Sequence, residues 1–392
     1  MIRVCQVLHG IVGGGSEQVV LNYCSRMRDI QFDLLYQYEP NPQILERFNE
    51  AGINCIQIPD KVHHPLKHLW TMFKIFRQGK YDVVHCHLDW FMNSYVCFLA
   101  MLAGIKKRIA HHHQAYSVDR HSGHRAGISG LSFRPSSQNL AGNFSSSFRA
   151  LPRNLLCALM RIPCKLFATH WLACGEAAAI NGWGKSAVAK GHVTILPNAI
   201  DPDRFKFNET ARREIRSRYG ITDDDFVIGH VGRFFPEKNH KFIIQVFEEV
   251  LRQRANCWLL LVGNGPLQQE IQETVNKLGI ANRVIFAGLQ KDVVPFYGAM
   301  DVLLLPSTRE AFPMTLVEAQ YNGLPCVVSE EVPRETAITD RVYPLPIDDI
   351  KPWCEKLGMM KLAVNREQPQ IKSERFDIRT CYNTLESLYK VP

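Results

Sequence analysis

None of the twelve cysteines stands in a C-x-x-C pair. That absence removes the zinc-ribbon and redox-dithiol classes, and scattered single thiols read as reduced cysteines of an intracellular protein. No apolar run reaches the ~20 residues that cross a bilayer. The apolar stretch Val96 to Gly104 is about half that length and reads as a buried helix. Nor is the chain poor enough in hydrophobic residues for global disorder: 46% are apolar and 21% charged, as in globular proteins. It opens directly on a strand (Ile2, Arg3, Val4) without a leader-like segment, so the expected location is the cytoplasm.

What is present is enough chain for two domains, 392 residues against roughly 150–200 per core. The net charge of +8 is uneven. Residues 1–200 carry 21 Lys and Arg against 11 Asp and Glu, giving +10. The remainder carries 46 − 21 = 25 against 38 − 11 = 27, giving −2. A basic first half suits a polyanionic or membrane-surface partner, while nucleic acid is not expected.

Strands and helices alternate from the start. Strands are expected at 4–8, 32–36, 55–58 and 83–86, and helices at 16–27, 41–51 and 66–78, with Ser16 as a plausible N-cap. Residues 114–150, rich in Ser, Gly, Arg and Asn, interrupt the pattern as a long loop; a helix over 151–167 and a strand at 171–174 follow. A second alternation begins after Pro197, with strands at 227–231, 258–262, 284–286, 302–305 and 326–328. Such alternation implies two parallel, doubly wound sheets, whose ligands sit at the carboxyl ends of strands.

Four segments carry chemistry. Gly13-Gly14-Gly15-Ser16-Glu17 joins a strand to a helix, where glycines admit a close ligand and helix N–H groups favour an anion. It is not the dinucleotide fingerprint, because Gln18 stands where the third glycine belongs; that disfavours a dehydrogenase. In Val231 to His240, Arg233 and Lys238 flank a strand-end loop and suit a diphosphate whose charge grows as its sugar bond breaks. Gly263-Asn264-Gly265-Pro266 is a tight turn that lets a flat base approach. In Pro306 to Glu318, two glutamates stand eight apart. Glu310 falls in the loop and Glu318 in the helix that opens near Met314 and Thr315.

These segments resemble the retaining glycosyltransferases of family 4. The matching residues are Gly14 to Glu17; Gly232, Arg233, Lys238 and Asn239; Gly263 to Pro266; and Pro306, Ser307, Glu310, Glu318 and Ala319 with Gly323-Leu324-Pro325. The resemblance implies a GT-B fold: two doubly wound Rossmann-like α/β domains facing across a cleft. The expected acceptor domain is 1–198, with a basic insert at 114–150, rejoined by a C-terminal helix at 376–392. The expected donor domain is 199–375. It further implies that Arg233 and Lys238 bind the donor diphosphate, Glu318 the ribose and Glu310 the transferred sugar. Gly14, Gly15, Gly263, Asn264, Phe312, Met314 and Thr315 would line the donor site. Arg108 to His113 resembles the family strand that ends in a cleft-facing histidine, best matched by His113. His111 shares its strand face, and both, with Glu17, would lie on the acceptor side. No metal is expected, only a nucleotide sugar, by default a UDP-hexose. Where the family has Glu-Gly-Phe-Gly, this chain has Glu310-Ala311-Phe312-Pro313, and Pro313 lacks one amide donor.

The expected reaction moves a hexose, with retention, to a saccharide or lipid-linked acceptor in surface polysaccharide synthesis. A nucleotide-sugar epimerase or hydrolase, and a non-catalytic sugar-nucleotide-binding protein, are the rival readings. Residues 105–165 hold ten basic residues and one acidic residue with interleaved aromatics. They point to peripheral contact with the anionic inner membrane face.

Overall fold

The computed structural model describes residues 1–113, 162–310, 312–362, 366 and 369–390. The basic insert and the first part of the helix expected over 151–167 lie outside these residues. The chain forms two compact units, Met1–Leu196 with Leu385–Pro392, and Pro197–Thr384. The division falls at Pro197, two residues before the expected boundary. It falls again inside the C-terminal helix Ile378–Lys390, which had been expected to join the first domain from Phe376. The start of that helix is held within the second unit. Ile378 N donates to Ile200 O at 2.8 Å, and Arg379 pairs with Asp203 at 2.8 Å.

The first unit is built on seven parallel strands: β1 (Ile2–Val7), β2 (Ile30–Tyr36), β3 (Asn54–Gln57), β4 (Val83–Cys86), β5 (Lys107–His112), β6 (His170–Ala173) and β7 (Thr194–Ile195). Their spatial order is β3-β2-β1-β4-β5-β6-β7. The second unit has β8 (Phe226–Val231), β9 (Cys257–Val262), β10 (Val284–Gly288), β11 (Val302–Leu305), β12 (Cys326–Ser329) and β13 (Val342–Leu345), in the order β10-β9-β8-β11-β12-β13. Every pairing in both sheets is parallel.

Buried parallel strands need apolar side chains on both faces, and β9 and β11 are uninterrupted runs of that kind. The helices bring amphipathic faces: His240–Gln253 buries Phe242, Ile243, Val246, Phe247 and Val250 against β8 and β9. In each sheet the order reverses once, between β1 and β4 and between β8 and β11. Loops leaving those strands diverge and open a crevice at their carboxyl ends. No described helix is long and apolar enough to cross a membrane.

Candidate functional site

In the second unit, the loops after β8 and β11 meet at the switch point. Asn239 adopts φ +55°, a left-handed conformation that asparagine tolerates better than most residues. The turn ends the short helix Pro236–Lys238 and starts the helix His240–Gln253. Lys238 Nζ forms an ion pair with Glu310 Oε1, and Ser307 Oγ donates to the same oxygen at 2.8 Å. Thr308 N donates to Glu237 O at 2.9 Å, tying the two loops together. Arg233 is exposed at the end of β8 and lies over the Phe235 ring, 4.6 Å from its centroid.

Beneath them, His240 stacks on Phe234 at 4.1 Å and meets His230 edge-on at 4.8 Å. Burial holds His230 down at about 4 and His240 at about 2, so both are neutral wedges under the loop. The turn after β9 packs directly on the β8 loop. A Cβ on Gly263, at φ +134°, would stand 2.0 Å from Gly232 O, so only glycine fits. Phe234 N donates to Asn264 O at 2.8 Å, leaving the Asn264 side chain exposed.

The helix Met314–Tyr321 opens after Pro313 with no side chain capping it. Its first amides therefore remain open to an anion. Thr315 Oγ1 is buried in the same turn without a partner among the described residues. Phe312 packs edge-on to Phe376 at 4.9 Å. Glu318 is buried, and its Oε2 accepts from the Tyr297 hydroxyl at 2.7 Å. Burial, then the Glu318 charge, raises the Tyr297 phenol, which stays a donor.

In the first unit, β1 runs into Gly13-Gly14-Gly15 and the helix Gly15–Cys24. The N-cap is Gly14, not Ser16, and no side chain caps it. Glu17 folds back instead, its Oε2 accepting from Val12 N at 2.9 Å and Gly13 N at 2.6 Å. Its carboxylate thus helps to shape the turn. A Cβ on Gly14 would come within 3.1 Å of Glu17 Oε1, so the turn is crowded from within.

His111 and His113 do share one face, with ring centroids 4.0 Å apart. His112 points the other way, edge-on to Trp183 at 5.1 Å. His113 Nε2 lies 2.9 Å from His87 Nδ1. His87 Nε2 in turn donates to Gln6 Oε1 at 2.9 Å. Gln6 Nε2 donates to Tyr389 Oη at 2.9 Å, and Tyr389 Oη lies 2.6 Å from His85 Nδ1. Because an amide oxygen only accepts, His87 carries its proton on Nε2 and accepts from His113 at Nδ1. His111 is fully buried, inside the cluster rather than at its surface.

Sequence reasoning missed Tyr297, His85, His87, Gln6 and Tyr389. The alternate spacing of His85 and His87 on a strand was the available signal, since it puts both on one face. Nothing local marks Tyr297 or Tyr389; they reach their partners across 21 and 304 residues.

The first unit also exposes a run of large apolar side chains. Leu66 and Trp70 on the helix Pro65–Gly79 are 81% and 63% exposed, and Phe91 is 62% exposed. Lys74 lies over the Trp70 ring at 5.2 Å.

Residues 211–342 match the family described as glycosyl transferases group 1. The chain is similar to the putative glycosyltransferase EpsF of Bacillus subtilis, 30% identical over 377 residues, spanning 94% of this chain and 90% of that protein. It also resembles the Escherichia coli UDP-Gal:alpha-D-GlcNAc-diphosphoundecaprenol alpha-1,3-galactosyltransferase. That match is 24% identical over 326 residues, 80% of this chain and 76% of the relative. Among solved structures, Anabaena Alr3699/HepE in complex with UDP and glucose superposes with a TM-score of 0.76 at 16% identity, over the full length of both chains. The fold is therefore GT-B, as expected.

Proposed function

Since this chain belongs to the glycosyl transferases of group 1, we propose that it moves a hexose from a UDP-sugar to a hydroxyl of a saccharide or lipid-linked acceptor, with retention. The observation that carries this reading is the Lys238–Glu310 pair, joined by Ser307 at the β8–β11 switch point. A cation, a carboxylate and open helix amides converge there on two short loops. Solved relatives of this fold have been determined with UDP-glucose bound.

In this reading the β- and α-phosphates lie between Arg233, Lys238 and the first amides of the helix Met314–Tyr321. As the sugar–phosphate bond breaks, negative charge accumulates on the leaving phosphate, and the two fixed cations gain interaction energy there. Glu310, held by Lys238 and Ser307, accepts from hydroxyls of the transferred sugar. Glu318, fixed by Tyr297, accepts from the ribose, and the base approaches the Gly263–Asn264 turn. Phe312 lines the sugar side. His113, Gly14 and Gly15 are the first unit's candidates for substrate contact, His113 as a group able to accept from or donate to a hydroxyl. A front-face displacement fits the residues, the departing phosphate helping to deprotonate the acceptor.

The acceptor reading is a lipid-linked saccharide in surface polysaccharide assembly, with the enzyme peripheral to the inner face of a membrane. The exposed Leu66 and Trp70, with Lys67 and Lys74 on the same helix, support that surface.

The test begins with thermal shift against UDP-hexoses, where a ligand at about 100 times its Kd stabilises by about 2.7 kcal/mol. Product analysis by NMR follows, and an α-glycoside from an α-donor is expected. Release of free sugar alone would favour the hydrolase, a new epimer the epimerase, and binding without turnover the sensor.

A further inference from the structure

The first unit holds a polar cluster that the transferase reading leaves unused at its centre. His85 and His87 project from β4 and its end, and His111 from β5. One ring nitrogen from each lies within 4.8 Å of the others. All three are buried. His111 has neither ring nitrogen hydrogen-bonded, and His85 Nε2 has no partner either, among the described residues. Leaving a buried polar atom unbonded costs about 1–3 kcal/mol, so an imidazole with two such atoms calls for a ligand.

We propose that His85, His87 and His111 form a binding site for a transition-metal cation of the zinc class. Three imidazoles are a donor set that zinc accepts, with a fourth position for water or another side chain. Tetrahedral zinc has Zn–N bonds of about 2.0–2.1 Å, which sets ligand nitrogens about 3.3 Å apart.

The outer shell is also in place. Metal-bound histidines typically donate their second N–H to a fixed acceptor. His87 Nε2 does so to Gln6 Oε1, so the atom it offers to an ion is Nδ1, which accepts from His113 while no metal is bound. His85 Nδ1 can do so to Tyr389 Oη, which frees its Nε2 lone pair. This proposal does not depend on the transferase reading.

The experiment uses the tag-free full chain, stripped with a chelator and titrated with Zn²⁺ against a chromophoric competitor, and with Co²⁺ as an optical probe. One ion per chain is expected, with the visible absorption of tetrahedral nitrogen-ligated Co²⁺. His111→Leu removes no hydrogen bond, so the metal-free variant should melt with the metal-free parent while zinc affinity falls at least about 100-fold. Tyr389→Phe, which perturbs only the outer shell, should weaken zinc by about 10–100-fold. It also serves as the test if His111→Leu does not fold. Equal zinc uptake by the parent and either folded variant would overturn the proposal. So would a parent that retains no ion at micromolar concentration.

Discussion

At the β8–β11 switch point the polar groups are ionic and face solvent-accessible loops: Lys238 on Glu310, Arg233 beside them. At the β1–β4 switch point they are neutral imidazoles and amides packed inside: His85, His87, His111 and Gln6. The topology around both is the same, a parallel sheet whose order reverses once. The charges on short loops leave a site ready for a charged ligand. Imidazoles on strand ends are dehydrated, and their chemistry depends on tautomer and on partners such as Tyr389. One topology thus supports two kinds of site, and the difference lies in whether the loop or the strand supplies the side chains.

The largest expected effect tests what the two units share. Deleting 376–392 removes Phe376 and Ile378 from the second and Leu385 and Tyr389 from the first, all buried. Losing one large buried aromatic costs about 3–5 kcal/mol, against a total stability of about 5–15. The truncated chain should not fold cooperatively, and a truncated protein with an unchanged Tm would refute this.

Next come the charges of the second unit. Lys238→Ala and Arg233→Ala should each lower transfer by about 10²–10³-fold, because each removes charge stabilisation that grows toward the transition state. Lys238→Ala combined with Glu310→Gln should be far from additive, since the pair is in contact. Additive rate losses in steady-state assays would mean that the pair does not act as a unit. Glu318→Gln should have a smaller effect, weakening UDP by about 10–100-fold through a lost charge-assisted bond worth about 1.5–3 kcal/mol. Tyr297 can still donate to the amide oxygen, so Tm should hold. Calorimetry giving the parent Kd would remove Glu318 from the ribose site.

The buried histidines give a milder and opposite kind of signal. In the unfolded chain they titrate near 6.5, and in the folded chain His85 and His230 titrate at about 3 and 4. The unfolded state binds more protons below pH 6.5, so stability is full above that pH. It should fall as the pH drops toward 4 and 3. Each such residue removes about 1.4 kcal/mol per pH unit in that window. Urea midpoints that stayed flat from pH 7 to pH 5 would contradict the buried, neutral state. The smallest effect belongs to the exposed face: each basic residue near an anionic leaflet adds about 1 kcal/mol. Trp70→Ser with Lys74→Ser should reduce co-sedimentation with anionic vesicles several-fold, and added salt should weaken the parent. Salt-insensitive binding, or none, would remove the membrane claim alone.

The two sites also differed in how far they could be read beforehand. Glu310, Glu318, Arg233 and Lys238 were legible because a loop site is local: a few residues at fixed spacing follow a strand, and the strand's apolar run announces itself. The histidine cluster was half legible. Alternation put His111 and His113 on one face, yet not beside His85 and His87, because the neighbour of β5 is decided by strand order. Glu17 was legible as a carboxylate beside the glycine turn, but its part in holding that turn, with two amides aimed at its Oε2, shows only in the folded loop.

By itself, then, the amino-acid order determined the element types, the two parallel sheets and the charged loop motifs. All of these follow from periodicity and backbone stereochemistry over a few residues. Tertiary structure alone decided that Tyr389 would reach Gln6 and His85, that Tyr297 would fix Glu318, and that three imidazoles would be buried together. The hydrogen bonds among them join residues 21 to 383 apart in the chain. No local preference of the chain encodes which distant side chain arrives there, because the choice is made by which hydrophobic faces can be buried together.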